Sequence, residues 1–222
     1  MKLPTPQSAA EYRKRLPRKP RVLRGTRLPE PIDASIITTA RLRLRPYLME
    51  DFHPWLRMHR QPQTTEYLHW PDDDLGAIRE HLRARTRHTR LWQADDFMAL
   101  AIESEGELAG EVSLHLRSVR AGTRMVEVGW VLERRFTGRG LATEATAALL
   151  DFAFDAVGAR IATAVIDPEN VASIAVAERL GFQQASTGDG EHTYALLAGQ
   201  SFATPVRGGG VHRRPAHTSS SR

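Results

Sequence analysis

The sequence predicts one α/β domain with a mixed sheet, in which a run of antiparallel strands is followed by alternating helices and strands. Three observations indicate this. The chain has 222 residues, of which 41% are hydrophobic, enough for one sizeable core with room for tails. Apolar residues alternate with polar ones in several runs of the first half. From Leu141 onwards they recur at helical spacing, between short runs of β-branched residues.

The first half contains the strands that begin the sheet and two helices. Ile37, Leu42 and Leu44 alternate with arginines and predict a strand that stops at Pro46. Apolar spacing predicts helices over 49–59 and 75–90. Segments 97–103, 109–116 and 125–132 are predicted as a meander of three antiparallel strands, because a hairpin signal separates the first two at 104–107.

The second half predicts alternating helices and strands. Leu141, Ala145, Ala148, Leu149, Phe152 and Ala156 share helical spacing and predict a central helix that ends at Gly158. Residues 160–166 predict a strand and 170–180 a second helix, with Asn170 as its N-cap and Gly181 after its end. Closing strands are predicted at 182–185 and 192–197.

The positive charge lies in the two ends of the chain. The net charge is +5, to which residues 1–34 contribute +6 and residues 201–222 contribute +4, so the segment between them carries −5. We predict a basic, Pro-rich disordered extension over 1–34, a domain over 35–200 and a disordered basic Gly/Ser-rich tail over 201–222. Solvated arms are the favoured interpretation, and weak contact with a ribosome, RNA or an anionic surface is the alternative.

Several functional classes are excluded by what the sequence lacks. It contains no cysteine, which excludes disulfide frameworks, thiolate metal sites and a cysteine nucleophile, and fits the reducing cytoplasm. No apolar signal segment or membrane span is expected, since charged residues interrupt the most apolar stretch, 141–166. We expect no metal, because the histidines show no tight ligand spacing.

The segment Arg135-Phe136-Thr137-Gly138-Arg139-Gly140-Leu141 lies between a predicted strand and the central helix. Glycines let backbone N–H groups approach a pyrophosphate, and a helix N-terminus adds unpaired donors and a positive dipole end. A Walker loop is excluded because Gly-Lys-Ser/Thr is missing, and a dinucleotide fingerprint because Thr143 occupies the third glycine position. The segment therefore predicts a phosphate loop of another kind.

Four segments in order resemble the Gcn5-related N-acetyltransferase (GNAT) superfamily, and within it the RimJ/RimL ribosomal-protein acetyltransferase branch. They are Thr39-Ala40-Arg41-Leu42-Arg43-Leu44-Arg45-Pro46, Glu127-Val128-Gly129-Trp130-Val131-Leu132, the Arg135-x-x-Gly138-x-Gly140 loop, and the run from Asn170 and Ser173 to Leu180-Gly181-Phe182. The resemblance covers about residues 35–200 and neither tail.

This resemblance implies a mostly antiparallel, twisted sheet that is flanked by helices and splayed into a V, with acetyl-CoA in the opening as acyl donor. It implies that the pantetheine pairs with the backbone of the strand 125–132 and that the pyrophosphate lies on the loop amides. The residues it assigns to the donor are Trp130, Val131, Leu132, Arg135, Phe136, Thr137, Gly138, Arg139, Gly140, Leu141, Asn170 and Ser173.

The resemblance also implies two catalytic residues. A primary amine must lose a proton before it attacks the thioester, and Glu127 is the carboxylate that deprotonates it through water. In many relatives a tyrosine protonates the departing thiolate, but Ala177 occupies that position here, which leaves Ser173 as the candidate acid. The alternatives are an acid on an exposed strand face for Glu127 and a hydroxyl in a first helical turn for Ser173. Trp55, Tyr67, His69 and Trp70 are expected beside the acceptor or in simple packing.

The function that we predict is transfer of the acetyl group of acetyl-CoA to a primary amine, with a protein N-terminal amine slightly ahead of a small amine such as an aminoglycoside or polyamine. Transfer of a larger acyl group is an alternative within enzymes. An idle acyl-CoA-binding or RNA-associated protein is the alternative outside them, motivated by Ala177 and the basic tails. Both a monomer and a homodimer stay open.

Overall fold

A computed structural model describes residues 26–68, 70, 74–188 and 190–200. Residues 1–25 of the predicted extension, the predicted tail at 201–222 and His69 lie outside the described residues. Within them, no helix is long and apolar enough to cross a membrane.

The elements follow the predicted order, with two short strands, a short helix and a further strand added in the first half. The strands are β1 (Arg27–Asp33), β2 (Ile37–Thr38), β3 (Leu42–Pro46), β4 (Arg90–Gln93), β5 (Phe97–Ser104), β6 (Glu107–Ser118), β7 (Met125–Leu132), β8 (Ile161–Ile166), β9 (Gln183–Gly188) and β10 (Glu191–Leu197). The α-helices are α1 (Phe52–His59), α2 (Pro62–Thr65), α3 (Leu75–Arg87), α4 (Leu141–Asp155) and α5 (Val171–Arg179).

The described strands form a central sheet of eight and a separate pair. The order in the central sheet is β2-β3-β5-β6-β7-β8-β10-β9, while β1 pairs with β4. Neighbours in the central sheet are antiparallel except β7 and β8, which run parallel. The connection between them is helix α4, as a parallel crossover requires. This mixed, mostly antiparallel sheet flanked by helices confirms the predicted fold class.

Two cores pack on opposite faces of the central sheet. In β5, Met98, Leu100 and Ile102 belong to the larger core, which also contains residues of α4 and α5. Ala99 and Ala101, which point the other way, belong to a smaller core with Trp55 of α1 and Leu82 of α3. Since β5 is covered on both faces, it lies at the centre of the layered fold.

The structure differs from the sequence prediction at the start of the domain. The single strand predicted from 37 to Pro46 is two antiparallel strands, β2 and β3, which are joined by a turn at 39–41. The extension predicted over 1–34 includes β1, whose Leu28 is 3% exposed in the larger core. Prolines at 29 and 31 suggest disorder in the sequence, but they are tolerated in a bulged strand at the edge of a two-stranded pair.

Candidate functional site

The candidate site opens where β7 and β8 separate. Their parallel register contains three pairs and ends at Glu127 with Thr163. On its other edge β7 stays paired with β6 as far as Leu132 with Gly110. Alternate residues of an antiparallel strand direct their N–H and C=O groups away from the partner. The β8-facing edge of 128–132 therefore offers unpaired backbone groups, and Trp130, Val131 and Leu132 lie on this segment.

The loop after β7 leads into α4 through two glycines in the left-handed conformation. Residues Arg134–Phe136 form a 3-10 turn, and Gly138 and Gly140 have φ values of 74° and 75°. Gly140 is the N-cap of α4 and supplies no capping side chain. Within the described ranges, the amides of residues 138–143 have no hydrogen-bond acceptor. They form a cluster of donors at a helix N-terminus, which suits an anion.

Two of the predicted loop residues anchor the loop in the core, and two arginines lie on its surface. Phe136 and Leu141 are 5% and 1% exposed in the larger core, so only their backbone faces the site. The Arg135 guanidinium lies over the Phe136 ring, 4.5 Å from its centroid. Arg139 Nη2 lies 3.0 Å from Glu105 Oε1, in the β5–β6 turn. The loop is thus anchored to the larger core by the side chains of Phe136 and Leu141, and it contacts the β5–β6 hairpin through Arg139.

Glu127 lies at the apex of the split, on the sheet face that α1 and α3 cover. Arg117 holds its carboxylate with both arms of the guanidinium, at 2.9 Å from Nη2 to Oε1 and 3.2 Å from Nε to Oε2. His115 is its neighbour across the strands. The carboxylate is half-buried, so water reaches it. Because the pair is bidentate, Arg117 fixes both the position and the orientation of the Glu127 carboxylate.

Ser173 and Asn170 lie at the far arm of the split, because the chain runs from β8 directly into α5. Asn170 Oδ1 accepts a hydrogen bond of 3.0 Å from the Ser173 amide, so the predicted N-cap is confirmed. Ser173 is half-buried, and its hydroxyl has no hydrogen-bond partner among the described residues. Ala177 follows one turn later on the same face and is fully buried in the core. Ser173 thus carries the hydroxyl closest in sequence to Ala177.

The comparisons with known proteins agree with this architecture. The acetyltransferase (GNAT) domain family matches residues 41–183, which is more than half of the chain. The chain belongs to the GNAT acetyltransferase family. Uncharacterized N-acetyltransferase p20 of Bacillus licheniformis is 28% identical to this GNAT chain over 147 residues, which cover 66% of the chain and 81% of p20.

Two solved structures resemble this GNAT chain closely in fold. RimJ of Mycobacterium smegmatis in complex with CoA-disulfide has a TM-score of 0.58 and 25% identity, and the match covers 78% of this chain and 90% of RimJ. RimL, a ribosomal L7/L12 alpha-N-protein acetyltransferase, has a TM-score of 0.61 and 20% identity, over 73% of this chain and 94% of RimL. The predicted resemblance to the GNAT superfamily is confirmed, and the RimJ and RimL structures are consistent with the predicted branch.

A buried carboxylate at the start of the GNAT loop was not predicted from the sequence. Glu133 is 3% exposed, and its Oε1 lies 3.1 Å from Arg135 Nε and 3.3 Å from Gln61 Nε2. Gln61 Oε1 accepts a hydrogen bond of 3.2 Å from the Arg134 amide. Gln61 therefore links the turn between α1 and α2 to the loop. Sequence offers no signal for this link, because its partners are more than 70 positions apart.

Four aromatic rings of the GNAT domain pack together on the face that carries Glu127. Trp55, His59, Trp70 and His81 have ring centroids 4.4–5.6 Å apart. His81 Nδ1 lies 3.1 Å from His59 Nε2. Burial first, and then the charges of Arg85, His59 and His88, together lower the pKa of His81 to about 2. His81 is therefore neutral at physiological pH.

The same face carries acidic side chains that are paired with arginines. Glu111 Oε2 lies 3.1 Å from Arg85 Nε, and Asp51 Oδ1 lies 2.8 Å from Arg45 Nη2. Glu111 and Asp51 are 5% and 6% exposed, so both pairs are shielded from solvent. In the described part of the GNAT domain, no cluster of three or more His, Asp or Glu side chains could hold a metal ion.

Proposed function

We propose that this chain transfers the acetyl group of acetyl-CoA to a primary amine, with a protein N-terminal amine ahead of small polycationic amines. The observation that carries the proposal is the separation of β7 from β8 directly beside a loop with unpaired amides. The extended, amide-bearing pantetheine arm of acetyl-CoA adds to the free edge of residues 128–132, and the pyrophosphate of acetyl-CoA accepts hydrogen bonds from the loop. Membership of the GNAT family supports the same donor.

The reaction is a nucleophilic acyl substitution in which charge is conserved. The neutral amine nitrogen attacks the thioester carbonyl, a C–N bond forms and the C–S bond breaks. Before the attack, Glu127 takes one proton from the ammonium form of the acceptor through water, which leaves the neutral nitrogen. The nitrogen loses a second proton as the amide forms, and this balances the proton that the departing thiolate receives with the help of Ser173. A backbone N–H of the free β7 edge stabilises the oxyanion that forms between the attack and the departure of the thiolate.

The charges on the acceptor face favour an acceptor with one amine over a polycation. A polyamine or aminoglycoside carries several ammonium groups, and each needs a carboxylate or a similar acceptor. Among the described residues of this face, Glu111, Glu127 and Asp51 are already paired with arginines. The guanidinium of Arg85, the partner of Glu111, lies 5.7 Å from the centroid of the Trp55 ring and 5.3 Å from that of the Phe97 ring. A peptide N-terminus needs one site for its amine and apolar contacts for its first side chain.

The decisive experiment measures release of free CoA with a thiol reagent across a panel of amines. The chain has no cysteine, so the signal comes from CoA alone. We expect turnover with peptides that have a free N-terminus, and none when that N-terminus is formylated. Faster turnover with spermidine or an aminoglycoside would overturn the preference for N-termini. Binding of acetyl-CoA without turnover of any amine would instead indicate an idle acyl-CoA-binding protein.

A variant of the loop tests the donor site. Gly140 has a positive φ that a β-branched residue rarely adopts, so Gly140→Val should disturb the loop and weaken CoA binding at least tenfold. Gly122→Val is the matched control, because Gly122 lies in another loop with open space around it. Calorimetry that gives equal CoA affinity for a folded Gly140→Val protein and the wild type would refute the loop assignment.

A further inference from the structure

The turn between β2 and β3 reaches the first turn of α4, although the sequence separates them by about 100 residues. Thr39 Oγ1 donates a hydrogen bond to Glu144 Oε1 at 2.5 Å, and the Arg41 amide donates to the same oxygen at 3.0 Å. Arg41 Nε and Nη2 both lie 2.6 Å from Glu144 Oε2. Glu144 is therefore held at both oxygens by one short segment, which belongs to the opening motif of the domain.

Arg41 also contacts the loop itself. Its Nη1 donates to the carbonyl oxygen of Arg139 at 2.9 Å. Because a trans peptide is planar, a fixed carbonyl of Arg139 also fixes the N–H of Gly140, which points the opposite way. Arg41 Nη2 lies 3.6 Å from the position that a Cβ on Gly140 would occupy. The guanidinium thus lies directly beside the two residues that form the mouth of the loop.

Glu144 would otherwise oppose an anion at this helix end. Its side chain is 11% exposed and lies in the first turn of α4, close to the unpaired amides. Burial raises the pKa of the Glu144 carboxyl, but the hydrogen bonds from Thr39 and Arg41 outweigh burial and hold the pKa below its usual value. The carboxylate is therefore charged at neutral pH, and Arg41 supplies the balancing positive charge.

We propose that Arg41 is a positioning residue for the donor's pyrophosphate, which it serves by orienting the Arg139–Gly140 peptide and neutralising Glu144. The inference rests on the proposed function, and it assigns a role to the Thr39-x-Arg41 motif. It also makes a distinction between donors. A donor with a nucleotide diphosphate depends on Arg41, whereas a donor that ends at pantetheine does not reach the loop.

The test compares kcat/KM for acetyl-CoA and for S-acetylpantetheine in the full-length chain. Arg41→Gln should lower kcat/KM for acetyl-CoA by about tenfold to a hundredfold, the range for loss of charge-assisted hydrogen bonds. The value for S-acetylpantetheine should change less than threefold. An equal loss with both donors would mean that Arg41 only supports the fold, and would overturn the inference.

Two further variants sharpen the test. The double variant Arg41→Gln/Glu144→Gln should recover part of the acetyl-CoA loss, because it also removes the unbalanced carboxylate. Arg43→Gln is the matched control, since Arg43 is a half-exposed arginine two residues further along, in β3, and its partner Glu103 lies away from the loop. Arg43→Gln should leave both donors unchanged. No recovery in the double variant would also contradict the charge-balance role.

The design separates failure of the inference from failure of the proposed function. If the wild type neither binds CoA nor turns over acetyl-CoA, the proposed function and the inference are both wrong, and the measurement on the wild type is enough to show this. If the wild type uses acetyl-CoA and Arg41→Gln uses both donors as well as the wild type does, only the inference falls.

Discussion

Glu127 combines a position at the apex of the split with a fixed orientation, since Arg117 holds both carboxylate oxygens. Removing its charge should therefore affect proton transfer more than donor affinity. Glu127→Gln should lower the single-turnover rate by about 10² to 10⁴-fold, the range for one positioned acid–base group. The loss should be largest at pH 6.5 and shrink as the pH rises toward the amine pKa, where more of the acceptor is already neutral.

Glu103→Gln provides the control for this variant. Glu103 also pairs with an arginine, Arg45 Nε at 2.7 Å, but its strand is β5, away from the split. The Glu103 variant should keep the wild-type rate at every pH. A Glu127→Gln protein with wild-type single-turnover rates at pH 6.5 would leave water or a backbone carbonyl as the base.

Ser173 offers a clean test because its backbone and side chain have separate partners. The amide donates to Asn170, so Ser173→Ala keeps the helix cap and removes only the hydroxyl. We expect a lower single-turnover rate, a defect that changes little with pH, and CoA affinity close to that of the wild type. A fully active Ser173→Ala enzyme would return the serine to an ordinary place in the first turn of α5.

Among the elements, β6 approaches the end of β7 very closely at Gly110, on the edge opposite the one that faces β8. A Cβ on Gly110 would lie 2.1 Å from the carbonyl oxygen of Val131 and 2.9 Å from Leu132 Cδ2. Gly110→Ala should displace the end of β7, lower the melting temperature and weaken CoA binding. Gly122→Ala, in open space, should change neither property. Wild-type CoA affinity in a folded Gly110→Ala protein would show that the donor does not use this end of the strand.

The packing of α3 against α1 should depend on pH through His81. Its folded pKa of about 2 lies below the usual value near 6.5, so the unfolded chain binds a proton more readily than the folded chain does. The stability from this group is fully present above about pH 6.5 and is lost as the pH falls below it. His81→Leu should therefore flatten the decrease in melting temperature between pH 7.5 and 5.

His53→Leu is the control for that pH series, because His53 is an exposed histidine on α1. As the pH is lowered from 7.5 to 5, the melting temperature of the His53→Leu protein should decrease as steeply as that of the wild type. Equal slopes for the wild type and His81→Leu would mean that other groups determine the acid sensitivity.

At the scale of the whole molecule, β1 extends the domain to the N-terminal side of residue 35. Leu28 packs in the larger core, and the Arg27 guanidinium lies 4.3 Å from the centroid of the Trp92 ring. A chain of residues 26–200 should melt like the full-length protein and bind CoA. A chain of residues 35–200 should melt about 5–10 °C lower, because it lacks a buried leucine and a strand. Equal melting of the two truncated chains in calorimetry would restore a boundary at 35.

The features that could be predicted from the sequence are those set by interactions between residues only a few positions apart. Asn170 caps α5 through Ser173, three positions away, so residue type and spacing predict the contact. Helix α4 follows from its apolar period, and the β5–β6 hairpin from the turn at 104–107. The glycines of the loop belong to the same class, since a positive φ is a property of single positions.

The fold class, the family and the position of the glycine loop before α4 could therefore be inferred from the order of the residues alone. The point where β7 leaves β8, the pairing of Arg117 with Glu127 and the contacts of Thr39 and Arg41 with Glu144 became visible in the folded molecule alone. The reason is physical. Periodicity and turn chemistry act between near neighbours along the chain, whereas ion pairs and buried polar contacts depend on which distant segments the sheet brings side by side.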